Sequence, residues 1–189
     1  MENHLTLEQL QQIILNCHKC PLAQTRQKAV PGNGNIHAKI MLVGEGPGAH
    51  EDSSGVAFVG PAGILLDKIM KSVNLTREQV YLTNIVKCFP PENRVPRISE
   101  QDACIDYLRK EFLLMRPKLI VCLGSVAAKK LIDPSFSVLR EHGRVIEKKG
   151  VLFIATFHPA ALLRDENKKP AAWEDWKVIQ KTIESSHLA

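Results

Sequence analysis

Apolar residues recur at Leu7, Leu10, Ile13 and Ile14, three and four positions apart, behind Thr6-Leu-Glu-Gln9, where Thr6 can cap a helix and Gln9 can reach back to it. The pattern predicts a short amphipathic helix running into Cys17. Ala38-Lys-Ile-Met-Leu-Val-Gly44 is instead apolar at consecutive positions, the mark of a buried strand, and it stops at the turn Gly44-Glu-Gly-Pro-Gly48. The polar residues that follow are expected to extend this turn as loop through Gly55. Helical spacing returns after Gly60 at Ile64, Leu65, Ile69 and Val73, and Val80-Tyr-Leu-Thr-Asn84 gives a second strand.

Phe89-Pro-Pro-Glu-Asn-Arg-Val-Pro96 is too broken by prolines to continue any regular element. Ser99 is expected to cap a helix through Leu114, and Lys118 to Leu123 forms a near-continuous apolar run of the kind found in parallel strands covered on both faces. A helix can start directly at Gly124 and run to Leu131. Arg144 to Glu147 and Gly150 to Thr156 read as strands joined by the turn Lys148-Lys-Gly150, and a last helix is expected from Pro170 to about Ser186. Strands alternating with helices predict a parallel or mixed sheet with helices on both faces, whose ligands bind at the carboxyl ends of the strands. The loops at those ends are Gly44 to Asp52, Asn84 to Arg97 and Phe157-His-Pro159, and all three can converge on one edge of the sheet.

The length of 189 residues suits one domain, 1–189, and 44% hydrophobic with 24% charged residues is the balance of a soluble globular chain. No apolar run approaches the roughly 18 residues of a membrane-spanning helix. Met1-Glu-Asn-His-Leu-Thr has neither a basic nor an apolar leader region, so the expected location is cytoplasmic, with no membrane partner. The net charge of +5 suits a polyanion without requiring one. Five cysteines, an odd number, make a poor disulfide framework and a better source of metal ligands or reactive thiols.

Cys17-His-Lys-Cys20 is a C-x2-C pair, and Cys88 and Cys104 form a second pair with fifteen residues between them. Four thiolates serve a tetrahedral zinc or a cubane iron-sulfur cluster equally well, and their number does not separate the two. Cys122, in the middle of an apolar strand, reads as a core thiol. The glycines of the turn after the first strand allow close backbone approach to a ligand, but Glu45, Glu51 and Asp52 crowd the loop and would repel a phosphate. They suit a site where positive charge develops. Phe58, Asn84 and His158 are each ambiguous alone, yet all fall after strands.

Taken together, Gly44-Glu-Gly-Pro-Gly with Glu51-Asp52, Phe58-Val-Gly-Pro-Ala-Gly63, Tyr81-Leu-Thr-Asn-Ile-Val-Lys-Cys88, Pro90-Pro-Glu-Asn-Arg94 and His158-Pro-Ala-Ala-Leu-Leu-Arg164, with four cysteines around them, resemble the iron-sulfur (family 4) uracil-DNA glycosylases. The likeness runs in order from Cys17 to Arg164. It implies a three-layer α/β/α sandwich around a small, mainly parallel central sheet, and a [4Fe-4S] cluster on Cys17, Cys20, Cys88 and Cys104. It implies a uracil pocket lined by Gly44, Glu45 and Gly46, with Phe58 stacking on the base, Asn84 reading its edge and His158 facing its O2.

The activity so implied is that of a monofunctional glycosylase that flips uracil out of single- or double-stranded DNA and hydrolyses its N-glycosidic bond, opening base excision repair. On this reading Glu45 is the first choice, and Glu51 the second, for the carboxylate that favours the cationic sugar and orients water, while Asp52 holds the loop. Leu162 or Leu163 is the wedge, and Asn93, Arg94 and Arg164 contact DNA. The relatives often carry two acidic residues where this chain has Ala49-His50, and a basic residue where it has Pro61. No histidine-bearing insertion follows Asn93, which favours ordinary turnover, and no oligomer signal is present, so a monomer is expected. The alternative is an inactive iron-sulfur or zinc nucleic-acid-binding module of the same fold.

Overall fold

The apolar runs become the middle of a six-stranded sheet in the computed structural model, which describes residues 5–188. The first four residues, read above as lacking a leader, lie outside the described residues. In chain order the elements are α1 (Leu7–Leu15), α2 (Leu22–Thr25), β1 (Asn33–Gly34), β2 (Ile40–Gly44), α3 (Ala49–Ser54), α4 (Pro61–Ser72) and β3 (Val80–Asn84). They continue with α5 (Ile98–Met115), β4 (Leu119–Leu123), α6 (Ser125–Leu131), α7 (Val138–Glu141), β5 (Val145–Lys148), β6 (Val151–Thr156), α8 (Pro159–Arg164) and α9 (Lys169–Ser185).

The strands lie in the order β1-β3-β2-β4-β6-β5, with β3, β2, β4 and β6 parallel and the short edge strands β1 and β5 antiparallel to their neighbours. Side chains alternate across a strand, and the central strands are apolar on both faces because both are covered. Met41, Val43, Ile120, Cys122, Phe153 and Ala155 pack into one core with Leu10 and Ile14 of α1 and Leu108 of α5. Ile40, Leu42, Leu119, Val121 and Ile154 pack into the other with Leu66 and Met70 of α4 and Trp176 and Ile179 of α9. This is the expected three-layer α/β/α sandwich. Among the described residues no helix is long and apolar enough to cross a membrane.

Several boundaries differ from the sequence reading for identifiable reasons. Residues 49–54 are helix rather than loop: the Glu51 carboxylate accepts the Gly48 N–H at 3.0 Å at the start, and Gly55, at φ +81°, ends the turn left-handed. The helix is polar outside, so apolar periodicity could not reveal it. α5 is capped by Arg97 rather than Ser99, because the Arg97 N–H is held at 2.7 Å by the carboxylate of Glu100. α7 and α8 are too short for a periodic signal.

The register sets the height of the functional loops. Gly44 pairs with Asn84 across β2 and β3, and Leu123 with Thr156 across β4 and β6. The turn after β2, the loop after β3 and the Phe157-His158 segment after β6 therefore leave the same edge of the sheet.

Candidate active site

At that edge lies a cavity of about 380 Å³ lined by, among others, Glu51, Phe58, Asn84, Phe89 and His158, with Leu163 and Arg164 at α8. Phe58 and His158 both line it, their ring centroids 6.2 Å apart and their planes tilted by 30°. Asn84 Oδ1 and His158 Nε2 are the two buried side-chain polar atoms that lack a hydrogen-bond partner among the described residues. Leaving such an atom unpaired costs about 1–3 kcal/mol, so two of them in one cavity mark a site whose partners arrive with a ligand.

His158 occupies the N-cap of α8, and its Nδ1 accepts the Ala160 N–H at 3.2 Å. With that lone pair engaged, the proton of a neutral imidazole sits on Nε2, which makes the unpartnered atom a donor. Burial lowers the His158 pKa to about 4, reinforced by the charge of Arg164 and opposed by Glu51, so the ring is neutral at physiological pH.

Gly44 lies beneath all three groups. A Cβ there would run into Asn84 Oδ1 and come within 2.8 Å of Phe58 Cζ and 3.4 Å of His158 Nε2. Phe58 itself has φ +57°, a costly backbone conformation for an aromatic residue. Its neighbours hold it there. Glu51 accepts the N–H groups of Val59 at 3.0 Å and Gly60 at 2.7 Å, Arg77 donates to the Phe58 carbonyl, and a Cβ on Gly63 would collide with that same carbonyl.

The carboxylates therefore divide their duties. Glu51 has three backbone N–H groups on its two oxygens and fastens α3 to the Phe58 loop. Asp52 accepts the N–H of Gln27 at 3.0 Å and so ties α3 to the segment after α2. Glu45 is half-buried just outside the cavity lining, and burial raises its pKa against the opposing charge of Arg164.

Two expected DNA-contacting residues fall elsewhere. Leu162 is buried in the core, 2% exposed, whereas Leu163 is 49% exposed at the cavity mouth, because successive residues of a helix point about 100° apart and α8 packs the Leu162 side inward. The guanidinium of Arg94 is occupied by both oxygens of the buried Glu100, at 2.7 and 2.8 Å, and closes the proline-rich loop instead of standing free. Asn93 and Arg164 line the cavity. His50, Phe89 and Arg77 are given no role at the site by the sequence; His50 and Phe89 sit in segments that no periodic pattern marks, and Arg77 acts on a carbonyl nineteen residues away.

Behind the pocket, Cys88 and Cys104 are buried and Cys17 and Cys20 pack against the same core, with His18 exposed between them. The sulfurs receive donors: Arg26 Nη1 to Cys88 Sγ at 2.9 Å, the Lys87 N–H to Cys104 Sγ at 3.3 Å and the Lys19 N–H to Cys17 Sγ at 3.5 Å. Arg26 also donates to the carbonyls of Leu15 and Cys17, fixing the knuckle to the second pair. Among the described residues no three His, Cys, Asp or Glu side chains close to the spacing that holds a single metal ion. Cys122 is fully buried in β4, as expected of a core thiol.

The sequence matches the Uracil DNA glycosylase superfamily over residues 31–177. It is 42% identical to a Type-4 uracil-DNA glycosylase of Archaeoglobus fulgidus, over 92% of this chain and 92% of the relative. A Type-4 uracil-DNA glycosylase of Thermotoga maritima is 39% identical over 87% of this chain and 88% of its own. A Type-5 uracil-DNA glycosylase of Pyrobaculum aerophilum is more distant, at 31% identity over 79% of this chain.

Proposed function

The chain belongs to the uracil-DNA glycosylase superfamily, and from that premise we propose how its pocket excises uracil from DNA. It is a hydrolase of the N-glycosyl bond that initiates base excision repair. The observation that carries the residue assignment is the pair of unpartnered atoms, Asn84 Oδ1 and His158 Nε2, in the cavity that Phe58 also lines.

An extrahelical uracil stacks on Phe58. Asn84 Oδ1 accepts its N3–H while the amide nitrogen donates to O4; cytosine presents an acceptor and a donor in the reverse order and leaves both unsatisfied. His158 Nε2–H donates to O2, where negative charge accumulates as the C1′–N1 bond breaks. A single preorganised donor of this kind is worth about 2.7–4 kcal/mol in the transition state. Water adds to C1′, uracil leaves as an anion, and the proton of the water is lost to solvent or base.

Glu45 is the carboxylate that favours the cationic sugar and orients the water, since Glu51 is already committed to three backbone amides. Leu163 fills the gap left by the base, and Arg164 and Asn93 meet the phosphodiester backbone. No lysine lines the cavity among the described residues, which supports hydrolysis without a Schiff base and so without strand cleavage. The cavity addresses only the extruded nucleotide, which supports action on single- and double-stranded uracil DNA alike; a cytoplasmic monomer completes the proposed reading.

Cys17, Cys20, Cys88 and Cys104 fit a [4Fe-4S] cluster: four thiols converge in one core, and three of them receive N–H donors of the kind that stabilise cluster sulfurs. Bound there, the cluster would supply a covalent cross-link between the N-terminal knuckle, the loop after β3 and α5. The test is incubation with a uracil-containing oligonucleotide followed by hot alkali, which should break the strand only at uracil. An intact strand from well-folded, cluster-loaded protein overturns the reading.

A further inference from the structure

Lys87 and Glu111 form an ion pair at 2.8 Å in which both side chains are sealed from solvent, 1% and 0% exposed. Burying two charges is costly, and an apolar pair of the same volume often serves stability as well or better. What distinguishes this pair is where its hydrogen bonds go. The Lys87 ammonium has three donors and spends one on Glu111 Oε2, one on the hydroxyl of Thr83, and one, at 3.0 Å, on the backbone carbonyl of Asn84. Glu111 accepts the Thr83 hydroxyl at 3.0 Å and the Tyr81 hydroxyl at 3.4 Å, so the carboxylate gathers the inner face of β3. Asn84 is the last residue of β3, where the ladder ends and its carbonyl needs another donor.

We infer that Lys87, held by Glu111, is the positioning residue for Asn84, and that it links the uracil-reading amide to the cysteine centre. The main chain of Lys87 is as fully engaged as its side chain: the N–H goes to Cys104 Sγ at 3.3 Å, the carbonyl accepts the Val30 N–H at 2.7 Å, and the next residue is Cys88. One residue thus has its side chain on the base reader and its backbone on the thiols. The Asn84 side chain projects, unpartnered, from the peptide that Lys87 grips, and a displacement of that peptide moves the amide in the pocket.

The inference rests on Asn84 being the base reader, so wild-type protein and Asn84→Ala are assayed alongside. Lys87→Met strands both Glu111 and the Asn84 carbonyl, and is expected to lower Tm as well as activity. The double variant Lys87→Met/Glu111→Leu replaces the pair by apolar groups and is expected to recover Tm and keep the visible absorption of the cluster. Its kcat on uracil DNA should nonetheless fall about a hundredfold, the usual consequence of an ångström-scale misplacement. KM for DNA should stay within threefold, and calorimetric binding of free uracil should weaken in parallel with kcat. Thr83→Val, which removes a single hydroxyl from the network, should lower kcat about tenfold whether or not the double variant folds.

A double variant whose kcat returns to within threefold of wild type as its Tm recovers, or a Thr83→Val variant with wild-type kcat, overturns the inference. If wild type releases no uracil, or Asn84→Ala is fully active, the failure lies in the pocket assignment instead.

Discussion

The pocket and the polar network directly behind it, which meet where Lys87 holds the Asn84 carbonyl, are built on opposite terms. In the network the buried ion pair is fully matched, with three acceptors for the Lys87 ammonium and two hydroxyls and an ammonium for Glu111, and three of the four cysteine sulfurs have an N–H or guanidinium donor. In the pocket two polar atoms are left unmatched and one aromatic residue sits in a left-handed backbone conformation. A protein can hold unsatisfied atoms in place only if the surrounding groups have no alternative partner to offer them. The saturated region is what keeps the unsaturated one open.

The contrast can be broken most severely from the pocket side. His158→Ala should reduce kcat by about a hundredfold to a thousandfold, the loss expected for one oxyanion donor, with only a small change in Tm, because removing an unpaired buried atom offsets the loss of the α8 cap; single-turnover excision and thermal melting together check it. Gly44→Ala should have a comparable effect on kcat by driving Asn84 and Phe58 apart, and uracil binding measured by calorimetry should fail in the same variant. A tight uracil complex in Gly44→Ala would mean that the base lies elsewhere.

From the other side, Cys104→Ala should bleach the absorption near 400 nm and lower Tm by several degrees, at about 2–4 °C per kcal/mol for a chain of this size. Protein assayed well below that Tm should retain kcat within about tenfold, which is the order of loss when a supporting group rather than a reacting one is removed.

Smaller effects lie in the pH dependence of the pocket. If ionised Glu45 is required, activity falls as pH drops through a pKa that burial has raised above the ordinary carboxylate value and Arg164 holds down. Arg164→Ala removes that opposing charge, so the acid limb of kcat at saturating DNA should move to higher pH; a shift to lower pH would exclude Glu45. The smallest effect concerns stability. The unfolded chain binds a proton on His158 near pH 6.5, whereas the folded chain resists until about 4. Wild type should therefore lose stability relative to His158→Asn as pH falls from 6.5 towards 4, and the difference should level off below that; denaturant melts across the range measure it.

Much of this was legible from residue order. Four of the six strands are continuous or nearly continuous apolar runs because both faces of the sheet are covered, and the glycine turn, Asn84 and His158 fell at strand ends where ligands of such sheets bind. What escaped depends on partners distant in sequence. Leu162 and Leu163 are the same residue type one position apart, and only the docking of α8 decides which is buried. Arg94 read as a free cation until Glu100 claimed it. Lys87 stood in plain view inside the motif running from Tyr81 to Cys88, yet a lysine ahead of a cysteine gives no hint that its ammonium turns inward to Glu111. α3 was invisible because its boundaries are made by one carboxylate and one left-handed glycine rather than by an apolar stripe.

The pairing of Gly44 with Asn84 on one rung of β2 and β3 has a bearing on how this chain can tolerate change in length. Side chains alternate with a period of two, so inserting or deleting one residue within 40–44 or 80–84 would turn Asn84 to the wrong side of the sheet and slide the glycine from beneath it. Drift in length is confined to places that carry no such phase, such as the exposed hairpin at Lys148-Lys149-Gly150, on the far edge from the pocket. The sheet thus acts as a reading frame, and a deletion scan should reproduce it as two five-residue stretches of zero tolerance.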